Sequence, residues 1–235
     1  ATQVRKDSDM NQNSITPALP PSLVILIVFI ASCEMFSSCT TRTSINCTAK
    51  SSIMVGVQIW TRTNLNINTF ANGDTIHEAR TNEEWLEASI EKRPAWCYYD
   101  NDPANGIKYG KLYNWFAVSD PRGLAPKGWH IPADAEWTAL TDYLGGADSA
   151  GARMKTVSGW IKSGNASNSS GFEALPGGYR YDDGRFEAIG ASATWWSSTE
   201  NNASAWARGL YDYRASAYRG ASTKGFGLYV RCLLK

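Results

Sequence analysis

The sequence lacks the features that mark several common protein classes. Its 23 Lys and Arg residues are balanced by 22 Asp and Glu residues, which leaves a net charge of +1, and no block of basic residues occurs anywhere. This balance excludes the usual electrostatic basis of nucleic-acid binding. Charged residues make up 19% of the chain and hydrophobic residues 43%, a composition that excludes an intrinsically disordered protein.

Motifs for catalysis and metal binding are also scarce. The two histidines, His77 and His130, have no His or Cys partner at metal-ligand spacing, and no Gly-rich phosphate loop or paired-carboxylate motif stands out. Four aspartates carry the oxygen atoms that Ca²⁺ prefers, namely Asp100, Asp102, Asp182 and Asp183. Their runs lack the Gly and the terminal Glu of an EF-hand loop. We therefore predict no catalytic residue, no metal site and no cofactor, with Ca²⁺ as the alternative.

Aromatic residues and glycine are abundant instead. The 235 residues include 10 Trp, 11 Tyr and 20 Gly, and aliphatic residues are sparse after about residue 60. The length suits one large domain, or one domain with a tail, and is enough to bury a core. This composition is typical of a fold rich in turns and loops rather than of a helical bundle.

The first part of the chain differs from the rest. Residues 23–30 are all apolar. The last of them, Ile30, begins the motif Ile-Ala-Ser-Cys at 30–33. So short a run cannot cross a membrane, which needs about 20 apolar residues, but it suits the hydrophobic region of an export signal. Residues 30–33 resemble a bacterial lipobox. In such signals the cysteine, here Cys33, is lipidated and becomes the mature N-terminus. We predict an export signal at 1–33; a misread reading frame is the alternative.

The five cysteines are consistent with this prediction. An odd number suits one lipidated residue, Cys33, plus pairs, and an exported domain allows disulfides. Cys97 and Cys232 are the two cysteines of the main body, and we predict a disulfide between them; two buried free thiols are the alternative. The Ser- and Thr-rich stretch 34–54 is predicted to be a tether, followed by one domain at 55–235.

The domain is predicted to have an α+β fold. Residues 55–60 alternate as in an opening strand. A capping box at Thr81 and Glu84 predicts a helix over 82–92, and Asp134 is predicted to cap a second helix over 134–144 that Gly145 ends. Beyond residue 146, short aromatic runs separated by Gly, Ser and Asn predict a small twisted antiparallel sheet.

A consecutive series of motifs resembles a known bacterial family. It comprises Tyr-Tyr-Asp-Asn-Asp at 98–102, Tyr-Gly-Lys-Leu-Tyr-Asn-Trp at 109–115, Gly-Trp-His-Ile-Pro at 128–132, Glu-Trp at 136–137, Gly-Phe at 171–172, Leu-Pro-Gly-Gly-Tyr at 175–179, Trp-Trp-Ser-Ser-Thr-Glu at 195–200 and Val-Arg-Cys at 230–232. Together these motifs resemble the Fibrobacter succinogenes major paralogous domain over about residues 55–235. The resemblance implies a C-type-lectin-like fold, close to that of formylglycine-generating enzymes, often found on exported lipoproteins. The enzyme's cysteine chemistry and the usual sugar-binding signatures of C-type lectins are not matched.

The stretch from 201 to 223 has the composition of a recognition surface. It is rich in Tyr, Ser and Asn, which give adaptable contacts at low entropic cost. The binding face is predicted near residues 191–223, and nine residues are predicted to lie exposed on it as one contiguous surface: Asn201, Asn202, Ser204, Tyr211, Asp212, Tyr213, Ser216, Tyr218 and Ser222. The interleaved Trp206, Leu210 and Arg214 are predicted to point inward or brace loops.

The same stretch carries a signature at the codon level. Apart from Trp206, residues 201–223 include no Glu, Gln, Lys, Met or Trp, the five types that a codon ending in a pyrimidine cannot encode. Mutagenesis of adenines in Asn codons leaves this pattern, and diversity-generating retroelements mutate proteins of the implied fold in this way. The general preference of loops for Ser, Gly, Asn and Ala is the alternative explanation.

These observations predict a non-enzymatic binding module. We expect it at the outer surface of a bacterial cell, attached to the membrane only through a lipid anchor, or else on a phage particle. Its partner would be a protein or glycan rather than a nucleic acid. The alternatives are a structural surface or pilus-associated component without a ligand face and, third, an enzyme of the formylglycine-generating type.

Overall fold

The computed structural model describes residues 52–162 and 164–235. The predicted export signal, Cys33 and most of the tether lie outside these residues. No helix in the described ranges has the length and apolar character needed to cross a membrane. The first strand, β1, spans Ser52–Val55, so the last residues predicted as tether belong to the domain.

The described residues form three sheets. Their strands are β1 (Ser52–Val55), β2 (Gln58–Thr61), β3 (His77–Glu78), β4 (Ala95–Cys97), β5 (Leu112–Tyr113), β6 (Trp129–His130), β7 (Gly177–Arg180), β8 (Phe186–Ile189), β9 (Ser192–Asn201), β10 (Ser204–Tyr211), β11 (Ala217–Thr223) and β12 (Leu233–Leu234). The sheet orders are β1-β2-β12-β6, β11-β10-β9-β7-β8 and β3-β4-β5. The first and last strands of the domain therefore share one sheet. The opening strand predicted at 55–60 is instead a hairpin, because Gly56 turns the chain with φ 63°.

Five helices accompany the sheets in the described ranges: α1 (Asn82–Ile90), α2 (Pro103–Tyr109), α3 (Trp115–Val118), α4 (Asp134–Tyr143) and α5 (Ala147–Met154). The mixed α+β content and the two predicted helices, α1 and α4, are confirmed. The prediction of only two helices is wrong, because α2, α3 and α5 are too short, or too poor in large apolar residues, to show a helical period.

The predicted caps have different outcomes. Thr81 and Glu84 form the predicted capping box: Glu84 N–H donates to Thr81 Oγ1 at 3.1 Å and Thr81 N–H donates to the Glu84 carboxylate at 3.2 Å. Asp134 does not cap α4. The N-cap position belongs to Ala133, whose N–H donates to the Glu136 carboxylate at 2.7 Å. The Asp134 side chain instead accepts hydrogen bonds from Arg208 and Arg219.

Two adjacent tryptophans on β9 connect the two halves of the core. Trp195 and Trp196 point to opposite faces of the strand, as alternation requires, and both are fully buried. Trp195 packs in a cluster with Trp60, while Trp196 packs in a second cluster with Val230. Both faces of this strand are therefore covered.

The predicted disulfide is also wrong. Cys97 and Cys232 are buried thiols that do not bond to each other in the described structure. They lie in different core clusters, Cys97 with Trp195 and Cys232 with Trp196. Burial of both sulfur atoms away from each other rules out this disulfide.

Candidate functional site

Three tyrosines of the predicted surface meet at one end of the five-stranded sheet. Tyr211 ends β10, Tyr213 lies in the following turn and Tyr218 lies on β11. The Tyr211 ring centroid is 5.8 Å from that of Tyr213 and 6.2 Å from that of Tyr218. Tyr213 is 56% exposed and Tyr218 49%, while Tyr211 is half-buried. We call these three residues the tyrosine cluster.

Two glycines make room for the rings. A Cβ atom on Gly220 would lie 2.4 Å from the Tyr218 ring, and one on Gly209 would lie 3.4 Å from the Tyr211 hydroxyl. In the sheet register Gly209 is opposite Tyr218, so all of these positions share one face. The Tyr218 ring therefore packs over Gly220, and the Tyr211 ring over Gly209.

Arg214 covers the cluster from outside. Its guanidinium lies 4.6 Å from the Tyr213 ring centroid and 5.3 Å from that of Tyr211, and it donates to the Tyr213 hydroxyl at 2.5 Å. Arg214 is exposed, so of its two predicted roles, pointing inward or bracing a loop, only the second agrees with its contacts to Tyr213 and Tyr211. Leu210 is buried as predicted. Trp206 is half-buried beneath the Arg219 guanidinium, 3.4 Å from its ring centroid.

A buried lysine fixes the turn from below. Lys155 Nζ donates to the main-chain oxygens of Tyr211 at 3.0 Å and Arg214 at 2.7 Å, and also to the Asn165 side chain. Burial lowers the pKa of Lys155, and the nearby Asp212 carboxylate partly opposes this change. Asp212 itself is only 6% exposed, so its predicted place on the exposed face is wrong.

Two hydroxyl groups lie beneath the cluster without hydrogen-bond partners. They are Ser192 Oγ and Thr194 Oγ1, both buried and both unbonded within the described structure. Ser192 is opposite Tyr211 in the register and Thr194 is opposite Gly209, which places both on the face of the cluster. The floor of the site therefore has unused hydrogen-bonding capacity.

The electrostatic surroundings keep Tyr211 protonated. Burial raises its pKa, and the neighbouring hydroxyls of Tyr218, Tyr179 and Tyr213 add to the increase, while Arg214 opposes it. A neutral phenol can both donate and accept a hydrogen bond. Tyr179, on β7, was not among the predicted residues, although it extends the group of hydroxyls.

The remaining predicted residues lie elsewhere. Four of them surround the turn between β9 and β10, at the opposite end of these strands from the tyrosine cluster: Asn201, Asn202, Ser204 and Ser222. Seven residues of β10 separate this turn from Tyr211, a distance of roughly 23 Å at the rise of a strand. Among the four, Asn202 is exposed and the others are partly buried. The prediction of one contiguous face is therefore wrong: the residues form two groups at opposite ends.

Ser216 belongs to the cluster's end but faces a helix. A Cβ atom on Gly151 of α5 would lie 2.4 Å from the Ser216 main-chain oxygen, so helix and loop are in close contact there. Ser216 is partly buried. Neither this contact nor the role of Lys155 could be predicted from the sequence, because the residues that meet are far apart along the chain.

The groups considered for catalysis or metal binding have local roles. No group of three or more His, Cys, Asp or Glu side chains is arranged for a metal within the described ranges. Asp102 caps α2 by accepting from Ala104 N–H at 2.9 Å, and Asp183 pairs with Arg185. His130 Nε2 lies 2.8 Å from the Glu136 carboxylate. The aspartates named as the Ca²⁺ alternative therefore do not form a ligand cluster.

Comparison with known proteins identifies the domain. The family model described as the Fibrobacter succinogenes major domain matches residues 53–234. No curated protein and no solved structure gives a match.

Proposed function

Since the chain belongs to the Fibrobacter succinogenes major domain family, we propose that it is a C-type-lectin-like binding module of a bacterial surface or phage particle. It recognises a protein or glycan on another cell or surface. The exposed tyrosine cluster is the observation that carries this proposal. Nucleic-acid binding and catalysis are not part of the proposed activity.

The cluster has the chemistry of an interface centre. Binding energy concentrates in a few aromatic and arginine side chains. Tyr213 and Arg214 are such residues in contact at the surface, and exposed Tyr218 is linked to Tyr213 through Tyr211. Tyrosine supplies a large contact area with few rotatable bonds. Such a group suits both a polypeptide and the C–H face of a sugar.

Preorganisation supports the same proposal. Lys155 holds the main chain of the turn, and the Ser192 and Thr194 hydroxyls beneath it remain unbonded in the described structure. A rigid turn loses little entropy when a ligand binds. A ligand or water group that reached the hydroxyls would gain hydrogen bonds that the protein does not itself provide.

We further propose that a retroelement diversifies the segment 201–223. Ala205, Ala207, Leu210 and Ala217 are buried in this segment, whereas Asn202, Tyr213 and Tyr218 are exposed, so a fixed scaffold carries changeable side chains. The neighbouring DNA tests this directly. We expect a reverse-transcriptase gene and a near-copy of the codons for residues 190–232 that differs at adenines, and their absence would remove this part of the proposal.

Attachment through a diacylglyceryl group on Cys33 remains a proposal that rests on the sequence. Mass spectrometry of the mature N-terminus tests it. A modified Cys33 supports the outer-surface location, whereas an intact segment 1–33 on the folded protein rejects it.

A structural component of a surface assembly is the second candidate. Among the described residues, β1 is an edge strand; its Met54 is 65% exposed, and Val57 in the turn after it is 99% exposed. Exposed apolar side chains at a sheet edge favour pairing with another chain. This candidate would gain if the tyrosine cluster proved irrelevant to binding.

The cysteines give no support to an oxidase. Burial raises the pKa of the Cys97 thiol to about 11. The thiolate is the reactive form of cysteine, so such a thiol is a poor nucleophile at neutral pH.

The test compares two exposed tyrosines. The purified protein, fluorescently labelled, is applied to glycan arrays and to panels of bacterial cells. Tyr213→Ala should weaken any binding by about 1–3 kcal/mol. The matched control is Tyr143→Ala, since Tyr143 is 65% exposed but outside the cluster. Equal binding by both variants and the unmodified protein would reject the tyrosine cluster as the site.

A further inference from the structure

A cleft of about 490 Å³ lies apart from the tyrosine cluster's own residues. The loop after β2, the helix α2, the loops that follow α5 and Arg231 near the end of the chain form its walls. Its charged lining residues are three cations, Arg62, Lys108 and Arg231, and one carboxylate, Glu173. A volume of this size accommodates a small ligand of one or two rings.

The three cations differ in the hydrogen bonds and ion pairs that they already form within the protein. Arg231 is fully buried and donates to the main-chain oxygens of Thr61, Phe172 and Glu173 at 2.6–3.1 Å. No carboxylate neutralises it at hydrogen-bond distance in the described structure. Its charge therefore acts on the cleft through a medium of low dielectric, where attraction to an anion is strong.

Lys108 is the most available cation of the cleft. It is exposed, and its ammonium lies 4.8 Å from the centroid of the Tyr109 ring. Within the described residues it forms no ion pair. Three donors on this ammonium are therefore free to meet a ligand.

Arg62 is held by a carboxylate that can be replaced. Glu173 accepts from Arg62 Nη1 at 3.0 Å, and the two side chains are 44% and 33% exposed. Glu173 has φ 57°, a conformation unusual for a non-glycine residue, and its main chain is fixed by Asn168 and Arg231. The protein thus places a carboxylate of its own beside the guanidinium, in the position that an acidic ligand would seek.

The remaining lining suits a ligand with both hydroxyl groups and C–H surface. Thr63, Ser158 and Asn168 supply neutral polar groups. Ile107 and Val157 are 88% and 63% exposed and offer apolar contact. Most pockets for apolar molecules are lined mainly by hydrophobic and aromatic side chains, which is not the case here.

We propose that this cleft binds an acidic saccharide, whose carboxylate contacts Lys108 and Arg62 and whose ring lies against Ile107 and Val157. The site goes beyond the proposed function, because it shares no residue with the tyrosine cluster. It also needs neither calcium nor the stretch 201–223.

Glucuronate and glucose provide a matched pair of probes. Glucuronate carries a carboxylate where glucose carries a hydroxymethyl group. Titration calorimetry of the full chain with each sugar therefore measures the contribution of the negative charge to the affinity. We expect glucuronate to bind at least about tenfold more tightly than glucose, with an affinity that falls as salt is raised. Equal affinities, or no binding of glucuronate at millimolar concentration, would overturn the proposal.

Two variants should change the affinity for glucuronate in opposite directions. Lys108→Gln should weaken binding roughly three- to tenfold, while Glu173→Gln should strengthen it because a like charge is removed and Arg62 is released. Lys127→Gln is the control, since Lys127 is exposed and outside the cleft. Neither cleft variant alters a residue of the tyrosine cluster, so a change in glucuronate affinity is assigned to the cleft. Unchanged affinity in both cleft variants, with folding verified by circular dichroism, would refute the assignment.

Discussion

The buried ammonium of Lys155 donates a hydrogen bond of 3.0 Å to the main-chain oxygen of Tyr211. This contact joins the end of α5 to the turn that carries the tyrosine cluster, 56 residues later in the chain. A second hydrogen bond, to the Arg214 main-chain oxygen, fixes the other end of the turn. The position of the exposed rings therefore depends on a side chain that no ligand touches.

Replacement of Lys155 by Met should destabilise the domain. The variant leaves the main-chain oxygens of Tyr211 and Arg214 without their donor, and we expect a loss of about 2–4 kcal/mol in the free energy of unfolding. Urea denaturation measures it. Lys127→Met, at an exposed position, should produce no measurable change. Equal stability of both variants would contradict the role assigned to Lys155.

Asp134 should make a stability contribution that depends on pH. It accepts hydrogen bonds from Arg208, which is 4% exposed, and from Arg219 at 2.7 Å. Burial raises the pKa of Asp134, but hydrogen bonds from Arg219 and Arg208 outweigh it, and the net pKa is lowered. Asp134→Asn should therefore cost about 2–4 kcal/mol at neutral pH, because Arg208 loses its buried carboxylate partner.

The sign of this pH dependence follows from the lowered pKa. The contribution is present above the ordinary aspartate pKa and is lost as the pH falls through the lowered, folded-state value. Unfolding measured from pH 7 down to pH 2 should show the unmodified protein and Asp134→Asn converging. Asp183→Asn, in an exposed pair with Arg185, is the control and should behave like the unmodified protein. A constant difference at every pH would refute the prediction.

Cys97 should make the protein sensitive to alkaline pH. Burial raises the pKa of its thiol from 9.0 to about 11, so its contribution is complete below pH 9 and is lost as the pH rises towards 11. This amounts to about 2–3 kcal/mol. The free-energy difference between the unmodified protein and Cys97→Ala should therefore shrink between pH 9 and pH 11. The comparison between two proteins removes the contribution of tyrosines, which titrate in the same range. A difference that does not change with pH would contradict the assignment.

Gly151→Ala should destabilise the domain, although alanine usually favours a helix. Gly151→Ala, in helix α5, would normally favour the helix by about 1 kcal/mol. Here the new methyl group would lie 2.4 Å from the Ser216 main-chain oxygen, and we expect a loss of about 1–3 kcal/mol in urea denaturation. A stabilised Gly151→Ala variant would show that the helix and the loop are not in contact.

Gly220→Ala places its methyl group against a side chain rather than the main chain. The Tyr218 ring, 2.4 Å away, is half exposed and can rotate, so the stability should change little. The ring would nevertheless leave its place beside Tyr211. Proton NMR should show ring-to-ring contacts between Tyr211 and Tyr218 in the unmodified protein and their loss in Gly220→Ala. Persistence of these contacts would contradict the packing described for the cluster.

The sequence by itself determined the family, the mixed α+β content, the helices α1 and α4 and the capping box at Thr81. These features depend on residues close together in the chain, or on motifs in a fixed order, and local patterns record them. Alternation also placed Trp195 and Trp196 on opposite faces of one strand.

The tertiary structure alone decided which faces are covered. Trp196 is buried because Val230 and its neighbours pack against it. Asp212 is buried beside Lys155, although it belongs to a stretch whose composition suggests exposure. The length of β10 separates Asn202 from the tyrosine cluster, although the two lie in one uniform stretch of sequence. The separation of Cys97 and Cys232 into two core clusters has the same origin. Contacts between residues far apart in the chain set these properties, and no periodicity within a segment encodes its partner.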